Sequence, residues 1–307
     1  SRPQLHTLGA PKWKKLKEQT ERAVIGYATD LLKHQAARVV KEGFACPPDS
    51  IDMALFEEEF PFIETEDQLA AIAAIKADMC SSKPMDRLIC GDVGYGKTEV
   101  AMRAAFKAVV DGGKQVAVLV PTTVLAMQHF DTFVERMAQF PIQVGVLSRF
   151  RSAKETKATL EAAAKGNLDI LIGTHRIISQ DVQFHNLGLV IIDEEQRFGV
   201  RAKEHLKRIQ TGVDCLTLSA TPIPRTLYMS LIGVRDLSPI HTPPQDRLPI
   251  QTSIVELQDE TIRTALLREL ARERERELLS NRSRLARHVH RFEFTPIAAV
   301  VPSAQQR

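Results

Sequence analysis

The chain has 307 residues, with 41 Lys and Arg against 38 Asp and Glu, a formal net charge of +3. Hydrophobic residues at 44% and charged residues at 26% are ordinary globular values, which excludes wholesale disorder and allows a sizeable core. So small a net charge makes no global positive field, and any nucleic-acid contact has to be local. No apolar run approaches the roughly 18–20 residues needed to span a bilayer. Ser1-Arg2-Pro3 does not open a signal peptide, and the missing initiator Met leads us to expect a processed or cut chain. Cys46, Cys80, Cys90 and Cys215 form no CxxC pair, so neither zinc nor a disulfide framework is indicated. They read as small buried hydrophobes in a reducing cytoplasm.

In chain order, Trp13, Leu16, Ala23, Val24, Tyr27, Leu31 and Val39 recur at threes and fours, which predicts a long amphipathic helix over about 11–43. Its basic start (Lys12, Lys14, Lys15, Lys17) reads as a solvated face, with a phosphate backbone or a partner as the functional alternative. The polar, Pro-containing stretch 46–61 reads as a connector. From about 62 to 254 short apolar runs alternate with helical stretches. Strands are predicted at 87–90, 116–120, 144–147, 170–172, 189–192, 215–218 and 250–255, with helices at 98–110, 125–137 and 153–165. Runs this short and apolar, separated by helices, belong in a parallel sheet covered on both faces. Beyond 256 the character changes. The segment 271–278 carries like charges at i,i+4 (Arg272/Arg276, Glu273/Glu277), so charge pairing supports a helix there only weakly. After Asn281 no period is sustained, and a poorly ordered tail is predicted.

Gly91-Asp92-Val93-Gly94-Tyr95-Gly96-Lys97-Thr98 fits the phosphate-loop pattern G-x-x-x-x-G-K-[ST], following an apolar strand and opening a helix. The glycines let backbone N–H groups wrap phosphates at a helix N-terminus. Lys97 would neutralise the β and γ phosphates and the Thr98 hydroxyl would ligate Mg²⁺. About a hundred residues on, a buried strand ends in Asp193-Glu194-Glu195-Gln196. Asp193 is expected as the Mg²⁺ partner and Glu194 as the base or orienter of the attacking water. Glu195 is open between surface decoration and a catalytic role. Lys97, Asp193 and Glu194 are thus the catalytic candidates of an NTP-hydrolysing enzyme, against a weaker reading as a structural carboxylate cluster. His129, His175 and His205 have no metal-like spacing and read as structural or surface residues.

Asp193-Glu-Glu-Gln196, Ser219-Ala-Thr-Pro-Ile-Pro-Arg-Thr226, Pro121-Thr-Thr-Val-Leu-Ala126 and Gly173-Thr-His-Arg176 resemble motifs II, III, Ia and Ib of superfamily 2 helicases and translocases. In detail, GDVGYGKTEVAMRAAF, SRFRSAKE, ILIGTHR, DEEQRFGVRAKE and LSATPIPRTL resemble the bacterial transcription-repair coupling factors (the Mfd family), with RecG-type branched-DNA translocases as near relatives. The resemblance runs from Leu5 to about Leu270, and the stretch 5–17 looks like the segment that joins a polymerase-binding module to the motor. It implies a RecA-like P-loop NTPase lobe that takes ATP and Mg²⁺ and tracks double-stranded DNA. RNA polymerase and excision-repair proteins would be partners of the whole protein, which would be cytoplasmic with no membrane contact. Phe62, Thr65 and Gln68 sit where the superfamily reads adenine. Thr122, Thr123 and Thr174 would donate to phosphates of a tracked strand, or cap turns and helices instead. Arg149 and Arg151 would add charge to the same face, and Ser219 and Thr221 would couple nucleotide state to DNA contact.

The expected organisation is a helical connector (1–61), a RecA-like ATP-binding lobe (62–249) and the truncated start of a second lobe with a divergent tail (250–307). No second-lobe arginine motif is recognisable after Glu273, so the chain reads as one lobe of a motor. The alternatives are a RecG-like lobe and a non-catalytic nucleotide-binding fragment.

Overall fold

The computed structural model describes residues 13, 15–22, 26, 29, 36, 40–179, 181–198, 212–220, 235–245, 247 and 258–283, with side chains to Ala271. The chain divides into two compact units, Ser1–Arg247 and Leu248–Arg307. The first is built on seven parallel strands: β1 (Asp86–Gly91), β2 (Gln115–Leu119), β3 (Val144–Leu147), β4 (Ile170–Gly173), β5 (Leu187–Asp193), β6 (Asp214–Ser219) and β7 (Asp236–Ile240). Their order across the sheet is β3-β4-β2-β5-β6-β1-β7.

The helices begin where side chains satisfy the open backbone N–H groups of a first turn. In α1 (Ile51–Glu58) the Ser50 hydroxyl accepts from Met53 N. In α2 (Glu66–Met79) Thr65 and Gln68 form a reciprocal capping box, and in α5 (Ala153–Lys165) Ser152 and Glu155 do the same. Thr122 caps α4 (Thr123–Arg136). By contrast α3 (Lys97–Val110) starts at Gly96 with no side-chain cap.

Alternation along the strands feeds two cores. Val116, Val118, Ile170, Ile172, Leu189, Ile191, Leu216 and Leu218 pack on one face with residues of α1, α2, α3 and α4. Ala117, Leu119, Leu171, Val190, Ile192 and Cys215 pack on the other with Ala163 of α5. Burial on both faces is why the strands read as continuous apolar runs.

Six of the predicted strands are present with ends shifted by no more than two residues, whereas 250–255 lies outside the described residues. β7 was missed. Its sequence Asp-Leu-Ser-Pro-Ile is half exposed and holds Pro239, which lacks a ladder donor and is tolerated because β7 is an edge strand. The stretch 46–61 is not merely a connector, since it carries α1, whose Met53 and Phe56 are fully buried. Helix α2 was also missed. Cys46 and Cys215 are buried as expected, but Cys80 is exposed and Cys90 half-buried. Of the N-terminal helix, Trp13 and residues 15–22 are helical and mostly exposed; most of 23–39 lies outside the described residues. In the second unit α6 (Asp259–Ser283) runs through 271–278, its first turn carrying Asp259 and Glu260 against the positive end of the helix dipole. The expected tail from 284 on lies outside the described residues. No described helix is long and apolar enough to cross a membrane.

Phe106 of α3 stacks on Phe56 of α1 with centroids 4.1 Å apart, and both rings meet Phe140 edge-on. Phe106→Ala should therefore destabilise the unit by about 3–5 kcal/mol, measured as a shift in the urea midpoint with an unchanged slope.

Candidate functional site

Because every strand is parallel, the loops after their C-terminal ends meet along one edge. The loop after β1 turns through Gly94 (φ 80°) and Gly96 (φ 76°), left-handed positions that glycine occupies at no steric cost. A Cβ on Gly96 would also overlap the Gln68 side-chain amide. With no side-chain cap, the first amides of α3 remain available to an anion. Lys97 Nζ, beside this loop, donates to the carbonyls of Gly91 (2.8 Å) and Asp92 (2.9 Å). Burial pulls its ammonium below the ordinary value, against the opposing fields of Asp193, Glu194 and Asp92. Thr98 is half-buried in the first turn, and Val93 is exposed on the loop.

Asp193 ends β5, and β6 lies between β5 and the phosphate-loop strand. Glu194 follows at φ 50°, the one non-glycine residue in the left-handed region among those described. Its amide donates to Leu218 O (3.0 Å), and its Oε1 accepts from Ala220 N (3.0 Å), both at the end of β6. The Gln196 amide donates to its other carboxylate oxygen. Strain of this kind persists only where its surroundings hold it, here the β6 backbone. Ser219 Oγ is buried with no partner among the described residues, and Thr221 lies outside them.

Of the expected adenine readers, Thr65 and Gln68 are buried. Gln68 accepts from Thr65 N (2.9 Å) and donates to Tyr95 O (2.9 Å), so it braces the phosphate loop. Phe62 is exposed, its ring edge-on to Phe60. The DNA candidates follow β2 (Thr122, Thr123), β3 (Arg149, Arg151) and β4 (Thr174), three adjacent strands, so they line one flank of the edge while the nucleotide candidates line the other. Thr122 is exposed but caps α4, and Thr123 is half-buried. Thr174 is buried. Arg151 pairs with Glu155 (3.1 Å) and lies over the Phe130 ring, whereas Arg149 is exposed beside Phe150.

Three further residues belong to this region, and no sequence pattern pointed to them. Buried Arg235 donates to Asp86 Oδ1 (2.8 Å), Glu195 Oε2 (3.0 Å) and Thr217 Oγ1 (2.6 Å). Burial opposes its charge, but Asp86 and Glu195 raise its pKa above the ordinary arginine value. Glu195 is therefore not surface decoration; it is tied through Arg235 to β1 and β6. Arg247 lies over the Tyr95 ring and pairs with Asp92 (3.0 Å), and the Val93 amide and Arg247 together hold the Asp92 carboxyl below its usual range. His129, read above as structural or surface, is buried in α4 against Asp193. His175 is exposed, and His205 lies outside the described residues.

A glycine loop at an uncapped helix start, a lysine folded into it, and an Asp-Glu pair one strand away define a P-loop NTPase lobe of the RecA-like kind. The chain belongs to the DEAD/DEAH box helicases, whose family pattern matches residues 65–230. It is 56% identical over 270 residues to the transcription-repair-coupling factor of Bacillus subtilis (strain 168), covering 88% of this chain and 23% of that protein. The same-named protein of Staphylococcus haemolyticus (strain JCSC1435) is 52% identical over 280 residues, covering 91% and 24% respectively. The chain thus spans about a quarter of the length of these relatives. Among solved structures, RecG bound to a three-way DNA junction superposes with a TM-score of 0.62 at 35% identity, over 80% of this chain and 32% of that one.

No group of three or more His, Cys, Asp or Glu side chains among the described residues is placed to cage a metal. The donor set of Thr98 hydroxyl and Asp193 carboxylate instead fits Mg²⁺, which is usually held by one or two carboxylates, water and the phosphates of its nucleotide.

Removing the guanidinium from the Arg235 cluster leaves Asp86 and Glu195 unpaired. Arg235→Ala should cost about 3–5 kcal/mol of stability and Arg235→Lys less, read by denaturant unfolding without nucleotide.

Proposed function

We propose that the chain is the ATP-binding first motor lobe of an ATP-dependent double-stranded DNA translocase of the transcription-repair coupling type. In the whole protein this motor would act in the cytoplasm on stalled RNA polymerase and bring in excision-repair proteins. The observation that carries the reading is the continuous linkage from the Lys97 loop through β6 to the Asp193–Glu194 turn, in a chain 56% identical to a coupling factor. That identity, against 35% to RecG, favours it over the branched-DNA reading.

The geometry supports the following roles. Lys97 gives up its bonds to the loop carbonyls and turns to the β and γ phosphates, while the loop amides wrap them. Thr98 and Asp193 would hold Mg²⁺, which when bound neutralises phosphate charge. Glu194, held by the end of β6, orients the attacking water and accepts its proton. Its bond to the Ala220 amide would let that carboxylate sense the end of β6, where Ser219 lies. Phe62, Thr65 and Gln68 would read adenine, Gln68 while bonded to the loop at Tyr95 O.

The chain should bind Mg·ATP or Mg·ADP by itself, and Lys97→Ala should abolish or severely weaken binding in calorimetry, whereas Lys207→Ala should not. An arginine finger supplies about 10³–10⁵ in rate, and none is recognisable in these 307 residues. Steady-state turnover by this chain should accordingly be near background and unresponsive to DNA. Robust, DNA-stimulated turnover abolished by Glu194→Gln would overturn the half-motor reading.

Duplex DNA should bind weakly, without sequence preference, and release as salt rises. Arg149→Ala should lower affinity and flatten the salt slope by about one unit. Arg151→Ala should do less, because Glu155 already pairs with it. A filter-binding salt titration reads both.

A further inference from the structure

The Asp193 carboxylate is held by a side chain that belongs to none of the motifs above. His129 Nε2 lies 3.3 Å from Asp193 Oδ2, and His129 is only 9% exposed. Its other ring nitrogen, Nδ1, is buried with no hydrogen-bond partner among the described residues. An unpaired buried polar atom costs about 1–3 kcal/mol. The other buried residues on this face of α4, Ala126 and Phe133, are apolar, so packing alone would be better served by a third apolar residue. What the imidazole adds is the bond to Asp193.

Its position has a second consequence. The helix that carries His129 follows β2, at the inner end of the DNA flank (β3-β4-β2), and Asp193 ends the neighbouring β5, where the nucleotide flank begins. The same helix is capped by Thr122 and begins at Thr123, about two turns before His129. The contact therefore bridges the two halves of the edge.

We propose that His129 is a positioning residue. Its Nε2–H donates to Asp193 Oδ2, restrains rotation of the carboxylate that faces the nucleotide's Mg²⁺, and ties that orientation to the seat of α4 and the threonines at its start. This rests on the nucleotide-site reading above. Residues that orient a metal ligand from behind commonly change metal affinity by about 10–100-fold when replaced.

The test is binding of a fluorescent ADP analogue to the full 307-residue chain as Mg²⁺ is titrated, for wild type and for His129→Leu, His129→Gln and His129→Asn. His129→Leu should raise the Mg²⁺ concentration at half-effect by about 10-fold or more. It should not lower the melting temperature of the ligand-free chain, because it removes the unpaired nitrogen. His129→Gln, whose amide N–H reaches the Nε2 position, should restore the wild-type Mg²⁺ dependence. His129→Asn, too short to reach Asp193, should not, and it stands in for the leucine variant if that one fails to fold. A leucine or asparagine variant with wild-type Mg²⁺ dependence overturns the proposal, as does a glutamine variant no better than leucine. Lys97→Ala separates the two readings. If it leaves nucleotide affinity intact, the nucleotide site itself is misassigned and this proposal falls with it. If it abolishes binding while the His129 variants all follow wild type, only this proposal falls.

Discussion

A parallel sheet buried on both faces is the constraint from which the rest of this structure follows. Its strands point the same way, so every loop that can carry chemistry leaves the same edge. Helices cover both faces, so that edge is where a ligand can reach backbone amides and the ends of strands. The order β3-β4-β2-β5-β6-β1-β7 then sorts the loops. Those after β1 and β5 carry the glycine loop with Lys97 and the Asp193–Glu194 pair, and those after β3, β4 and β2 carry the threonines and arginines that we propose meet DNA.

Within that frame the site is held by backbone and buried charge rather than by its own side chains. The left-handed Glu194 is anchored by Leu218 O of β6 and by the Ala220 amide just beyond it, so its carboxylate is fixed to the end of that strand. Arg235 binds Glu195, Asp86 and Thr217. A second buried network, Arg103 with Glu99 and Glu64, and Arg136 with Glu99 and the Phe56 carbonyl, fastens α3 to α4, to α1 and to the segment before α2. Buried ion pairs of this kind contribute little net stability when intact, because desolvation offsets their attraction, and cost much when half removed. Their effect here is to fix where the helices sit around the phosphate loop.

How much was legible beforehand differs by residue. The phosphate loop could be read because its constraints are local: Gly94 and Gly96 need positive φ, and Lys97 and Thr98 need the first turn of the following helix. β1 through β6 could be read because double-sided burial demands unbroken apolar runs. β7 could not, since an edge strand with Pro239 and half-exposed positions carries no such signature. Helix α1 was hidden for a related reason. Its acidic residues and flanking prolines look like a connector, and only the placement of Met53 and Phe56 against α3 makes it part of the core.

The amino-acid order by itself therefore determined the class of the protein: a P-loop lobe with its Lys97, Thr98, Asp193 and Glu194, and a sheet of short parallel strands. These follow from patterns that span one turn or one strand. Tertiary structure alone decided that β6 would lie between the Asp193 strand and the phosphate loop, that Arg235 would clamp Glu195, that Arg247 would lie on Tyr95, and that His129 would meet Asp193. In the three side-chain contacts the partners are separated by 40 or more residues and carry ordinary polar side chains. Their meeting depends on strand order and helix placement, and no local spacing encodes either.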